Sequence, residues 1–360
     1  MSVSIADPWT TAGCRLIAGV LFASWAAHAS GDPIAAPAGD GYAIERQFSL
    51  SGPGGWDYLT ADPQAQRLFI SRADRVLVMS MRDGSVLATI PDTQGVHGIA
   101  LSADLGMGFT SNGRADTVTV FDLETLKFLK TIPTAGHNPD AIVYDKASRH
   151  VFTFNGRSRD ISVIDPLKGT VVATLPADGK PEFAAADGRG RIFFNIEDTS
   201  QIGEIDSLKS KRLATWPLPN CEQPTGLALD AAHHRLFSVC ANGVGVVTDA
   251  RSGRHVAEIP IGRGPDAAAY DAGRALLFSS NGQDGTLTVI RQEDPDHYSV
   301  IANLRTQKSA RTMALDSKSH RAYLVAAEFG PPPAPSPEQP HPRPAVIEGS
   351  FKVLVVGNSN

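Results

Sequence analysis

A chain of 360 residues with 42% hydrophobic side chains can bury a substantial core, and its 33 glycines and 25 prolines point to many turns rather than long helices. A formal net charge of −5 argues against a phosphate-rich partner. Length alone suggests two or three ordinary domains, an expectation that regular repetition would override.

Residues 1–29 read as a secretory signal peptide. Arg15 precedes the apolar run LIAGVLFASWAA, and Ala27-His28-Ala29 supplies an A-x-A cleavage site. The run is too short for a membrane span, and Cys14 precedes it rather than following it, which disfavours a lipoprotein anchor. The protein is therefore expected to be periplasmic or secreted. Residues 30–41 follow as a flexible lead-in. Export leaves Cys221 and Cys240, with no C-x-x-C or C-x-x-C-H motif, so thioredoxin-like chemistry and c-type haem have no support.

From residue 42 onward the chain repeats itself. GHNPDAIVYD (136–145) returns as GRGPDAAAYD (262–271), and seven segments share a short strand, a polar turn and a second apolar strand. The turn position holds Asp62, Ser102, Asp145, Asp187, Asp230, Asp271 and Asp316, at spacings of 40, 43, 42, 43, 41 and 45. Each repeat continues through a polar loop, often Asn-Gly, into a β-branched run such as TVTVFD or ISVID, then a turn and a fourth run such as VVATL. Four short strands per repeat predict an all-β, seven-bladed β-propeller over residues 42–360. The seventh repeat lacks its fourth strand after FKVLVVG (351–357), and YAIERQFSL (42–50) is predicted to supply it and close the ring, removing two exposed sheet edges. In the fifth repeat Cys221 lies just before the first strand and Cys240 ends the second, so an antiparallel pair predicts a Cys221–Cys240 disulfide. The last repeat carries a Pro-rich insertion, 329–350, in the loop between its second and third strands.

The tetrads LFIS, GFTS, VFTF and LFSS at this period resemble those of the YncE-type, or YVTN-repeat, bacterial β-propellers, although no repeat spells the tetrad literally. The resemblance covers essentially the whole mature chain and implies the fold. It implies no reaction, because propellers host enzymes and binding modules alike.

In a propeller the loops entering each inner strand share one face, here the near face, with those joining second and third strands. Five positions before the turn residue stand Asp57, His97, Asp140, Glu182, Thr225, Asp266 and Arg311, which would ring the near mouth of the central channel. Each could cap its own strand, or the set could line a shared site. Oxygen-rich ligands with one imidazole suit Ca²⁺, Mg²⁺ or Mn²⁺, with His97, Asp140 and Glu182 as candidate metal ligands. Asn112, Asn155 and Asn195 end second strands on the same face and are candidate ligands too, or else left-handed turn residues. His137, Arg114, Arg157 and Arg159 decorate the same face. The turn aspartates, with Asp122, Asp165, Asp206 and Asp249, fall on the far face, where Asp usually bonds its own backbone.

No G-x-S-x-G, H-E-x-x-H or P-loop occurs, and Trp56 and Trp216 are too few for a tryptophan-docked quinone propeller. The favoured function is a monomeric binding module for a small ligand, cation or protein partner at the channel mouth. The alternative is a metal-assisted, lactonase-like hydrolase or lyase at the same mouth. Single-stranded nucleic-acid binding is opposed by the acidic balance and by the lack of a basic, aromatic stripe.

Overall fold

The computed structural model describes residues 41–334 and 344–358. The segment predicted as a signal peptide and all but the last residue of the predicted lead-in lie outside them, as does the middle of the Pro-rich insertion. The described residues form seven four-stranded antiparallel sheets. Their inner strands are Leu59–Asp62, Val96–Ser102, Pro139–Asp145, Pro181–Ala186, Pro224–Asp230, Pro265–Asp271 and Met313–Asp316. Each inner strand contacts the next, and the seventh contacts the first, so the blades close into a seven-bladed β-propeller around a central channel. Among the described residues no helix is long and apolar enough to cross a membrane.

The second and third strands of each blade are apolar on both faces because both are covered by neighbouring blades. In blade 3, Phe152, Phe154, Ile161 and Val163 are fully buried, and Phe154 meets Phe194 of blade 4 at a ring separation of 5.1 Å. Outer strands face water along one side and keep exposed positions, as in Thr170–Pro176.

Tyr42–Ser49 pairs antiparallel with Lys352–Asn358, from Tyr42 opposite Asn358 to Ser49 opposite Lys352, and so becomes the outer strand of blade 7. Tyr42 also packs edge-on against Phe278 of blade 6, at 6.0 Å. The predicted disulfide is present in blade 5, with Cα atoms 5.4 Å apart and both cysteines buried. Closing that loop contributes roughly 3 kcal/mol in the chain-entropy account. The stem of the Pro-rich insertion is a short antiparallel pairing, with Phe329 opposite Val346 and Gly330 N–H donating to Ala345 O at 2.9 Å.

The turn residues act within the backbone, as expected. Asp62 Oδ1 accepts from the amides of Gln64 and Ala65, Asp187 Oδ1 from Arg189 and Arg191, and Asp230 Oδ1 from Ala232 and His233. Some also join blades: Asp145 accepts from Ser207 Oγ at 2.6 Å, and Asp271 pairs with His320 Nδ1 at 2.8 Å. Two far-face histidines are engaged with the turn aspartates, His233 with Asp230 and His320 with Asp271.

Candidate functional site at the near mouth

The ring residues owe their placement to a local break in pairing. In blades 2 to 6 the register between first and second strands slips between Val96 and Ile99, Pro139 and Ile142, Pro181 and Ala184, Pro224 and Leu227, and Pro265 and Ala267. His97, Asp140, Glu182, Thr225 and Asp266 sit in these slips, where a β-bulge re-aims a side chain out of the ladder. Asp57 and Arg311 precede the inner strands of blades 1 and 7. Neighbouring blades fix the ring backbone: Ser111 Oγ of blade 2 donates to the Asp140 carbonyl of blade 3, and Ser280 Oγ of blade 6 donates to the Arg311 carbonyl of blade 7. Thr225 takes part only as a brace, donating to Pro265 O at 3.0 Å.

The charged members form three groups. His97 Nδ1 lies 2.6 Å from Asp57 Oδ2 and 3.8 Å from Asp140 Oδ1. Arg311 pairs with Asp266 and reaches Asp57 Oδ1 at 3.4 Å. Lys180 bridges Glu182, at 2.6 Å, and Glu197. The trio that comes together with ligand atoms within 4.8 Å of one another is Asp57, His97 and Asp140. Glu182, expected to ligate a metal beside His97 and Asp140, is instead held by Lys180.

Nor do the three asparagines face the mouth; all are fully buried. Asn112 closes its own hairpin, accepting from Thr110 Oγ1 and donating to Thr117 and Thr119 Oγ1, and Asn155 does the same with Thr153, Asp160 and Ser162. Asn195, which has no following glycine, donates to the carbonyls of Thr225 and Gly226 and so ties blade 4 to blade 5. Their Oδ1 atoms, through which an asparagine would ligate a cation, accept from the hydroxyls of Thr110, Thr153 and Ser238 inside the blades. His137 is an exposed rim residue paired with Asp116, and Arg159 pairs with Asp198.

One residue deeper along the inner strands, Tyr58 of blade 1 and Phe183 of blade 4 stack at 4.3 Å with an interplanar angle of 19°. They meet across the channel and floor the mouth. The column that holds them otherwise carries Gly98, Ala141, Gly226, Ala267 and Thr312, so two aromatics among small residues were the legible signal for this plug. Further along the same strands lies a chamber of about 450 Å³ lined by Ala100, Ile142, Ala184, Ala228 and Ala268 among others. Its lining mixes alanines with larger apolar side chains and with Tyr144 and Tyr270, and holds no carboxylate. The Tyr58 hydroxyl is buried and has no hydrogen-bond partner, in the field of Asp140, Glu182, Asp57 and Asp266, and burial with that field holds its proton on well above the usual range.

Burial, with mutual repulsion added, shifts three ring carboxyls, those of Glu182, Asp266 and Asp140, toward the neutral form. Burial lifts Glu182 to about 8, with Asp140 adding repulsion that Lys180 only partly offsets. Burial likewise lifts Asp266 to about 7 against the pull of Arg311, and Asp140 to about 6 against the pull of His97. For His97, burial opposes the charged form, but the hydrogen bond to Asp57 and the fields of Asp140 and Asp57 outweigh it and raise the imidazole to about 9. Five carboxyls, those of Asp57, Asp140, Glu182, Glu197 and Asp266, thus face three cationic side chains in a cup closed below by aromatic rings. Such a cup accepts positive charge.

The architecture is shared with solved propellers. The chain superposes on the U3-55K structure with a TM-score of 0.70 at 13% identity, covering 86% of this chain and 97% of that one. On the WD40 repeats of RRP9 the TM-score is 0.70 at 14% identity, with 90% and 99% covered. On hydrazine synthase of Kuenenia stuttgartiensis it is 0.66 at 15% identity, with 76% and 94% covered. At these identities the likeness shows the fold alone. No protein-family model and no curated protein matches the chain.

Proposed function

We propose that this protein is an exported binding propeller, of YncE-like character, whose near mouth receives a small ligand or ion through positive charge. The observation that carries this is the imbalance in the cup, five carboxyls against three cations over an aromatic floor. A cationic guest lets Asp140, Glu182 and Asp266 ionise with a partner instead of against one another. The stacked rings of Tyr58 and Phe183 offer a π surface below. Export is supported by the apolar run and A-x-A site, and the buried Cys221–Cys240 bridge suits an oxidising compartment. The acidic mouth repels a nucleic-acid backbone.

The hydrolase or lyase alternative draws on the same residues. Glu182, lifted to about 8, would be its proton donor. His97, raised to about 9, is protonated at neutral pH and is a poor general base as it stands. The binding reading is tested by thermal shift of the parent and of an Asp140→Asn, Glu182→Gln double variant against metal ions, diamines and quaternary ammonium compounds, with lactone and ester panels run alongside. It expects a rise in melting temperature in the parent that the double variant loses. A parent unmoved by every cation contradicts it, and turnover lost in the double variant favours the enzyme alternative.

A further inference from the structure

We propose that Asp57, His97 and Asp140 form a three-residue site for a divalent first-row transition ion of the Mn²⁺ or Zn²⁺ type, bound in preference to Ca²⁺ or Mg²⁺. This rests on the cup being a cation site and names the cation. The three donor atoms, two carboxylate oxygens and His97 Nδ1, lie within 4.8 Å of one another. Bonds of about 2.0–2.2 Å hold donors about 3–4 Å apart, so side-chain shifts of under an ångström from the 2.6 and 3.8 Å separations about His97 Nδ1 would complete the shell.

Which atoms are free to ligate follows from their other partners. Lys180 satisfies Glu182 and Glu197, and Arg311 satisfies Asp266 while reaching Asp57 only through Oδ1, at 3.4 Å, which leaves Asp57 Oδ2 on the His97 side. Asp140 is different: among the described residues the one ion-pairing partner within 4 Å of its carboxylate is His97, at 3.8 Å, and only 14% of its side chain is exposed. A largely buried carboxylate with so little compensation is poised for a stronger partner. The His97 ring is fixed from behind. A Cβ built on Gly113 would lie 2.6 Å from His97 Nε2 and 3.0 Å from Asn138 Oδ1, so the bare glycine makes the space in which the ring stands with Nδ1 toward the two aspartates.

A second observation points to a guest. The Tyr58 hydroxyl is buried beside these carboxylates with no hydrogen-bond partner, although a buried hydroxyl normally finds one. An ion at the trio brings water or ligand oxygens into the cup, and these would accept from Tyr58. The imidazole decides the class of ion, because hard Ca²⁺ and Mg²⁺ prefer all-oxygen shells whereas Mn²⁺ and Zn²⁺ take imidazole with carboxylate. Three protein ligands leave positions open to solvent or substrate.

The test is a Mn²⁺ titration of the full mature protein, followed by loss of the free-ion paramagnetic resonance signal, with Zn²⁺ and Ca²⁺ as competitors. The expected result is one Mn²⁺ per chain, displaced by Zn²⁺ and not by equimolar Ca²⁺. Binding should weaken by about tenfold or more in His97→Gln and in Asp140→Asn, and stay unchanged in the far-face control Asp165→Asn. Circular dichroism establishes that each variant is folded, and Gly113→Ala, which displaces the His97 ring without removing a donor, should weaken binding in the same direction. No Mn²⁺ uptake by the parent, undiminished uptake in both ligand variants, or Ca²⁺ competing as well as Zn²⁺ overturns the proposal. If metals fail while an organic ammonium stabilises the parent and not the Asp140→Asn, Glu182→Gln variant, the metal site falls and the cation cup stands. If neither binds, both fall.

Discussion

Replacing Glu182 by Gln should make the protein more stable at alkaline pH, against the ordinary expectation for losing a charged partner of a lysine. Its carboxyl is lifted from 4.5 to about 8, by burial first and Asp140 second. A raised carboxyl means that the folded state holds a proton the unfolded chain has released. Its contribution is therefore intact below about pH 4.5 and is lost as pH rises through about 8. At about 1.4 kcal/mol per pH unit, that shift bounds the penalty against the folded state above that range at roughly 5 kcal/mol, of which relaxation of the neighbouring carboxyls leaves only a part. Gln cannot ionise, and Lys180 keeps Glu197 as its partner. Urea unfolding of parent and variant from pH 5 to 9 at fixed ionic strength measures the difference. The two should coincide near pH 5 and diverge as pH rises, the variant ahead by on the order of 2 kcal/mol at pH 9. Parallel curves, or a parent that gains stability with pH, would refute the account of a crowded cup.

Other consequences follow from the same contacts. His97, raised to about 9, contributes stability that is present below about pH 6.5 and lost as pH rises through 9, so His97→Gln should flatten the alkaline limb of the stability profile; an unchanged limb counts against its pairing with Asp57. Deleting residues 42–49 strips the outer strand from blade 7 and should lower the melting temperature sharply, whereas a truncated protein melting within about two degrees of the parent would deny the closure. Thiol titration of the unfolded, unreduced protein should find neither Cys221 nor Cys240 reactive, and two free thiols would contradict the bridge.

The fold was legible because repetition multiplies weak signals: one strand–turn–strand is ambiguous, and seven at nearly constant spacing are not. Ring closure and the disulfide followed from the same bookkeeping of strands. The site was only half legible. Counting back from the turn Asp found every ring residue, because the bulges recur with the repeat. What counting could not supply was pairing, either within blade 4, where Lys180 holds Glu182, or across blades, where Asp57 stands beside His97. Asn195 lacks the glycine that follows Asn112 and Asn155, and its amide ties blade 4 to blade 5. Lys180, Glu197 and the Tyr58–Phe183 floor went unnoticed because each breaks the repeat, and a search for sameness passes over exceptions. In a repeat protein the function gathers where the repeats differ.

The claim that the near mouth is a cation site is tested most directly by diffraction at the manganese absorption edge from crystals of the mature protein grown with Mn²⁺. The account predicts one strong anomalous peak between Asp57, His97 and Asp140, absent from crystals of the Asp140→Asn, Glu182→Gln variant. A mouth without a peak, with manganese found only at the far-face turn aspartates, would contradict it.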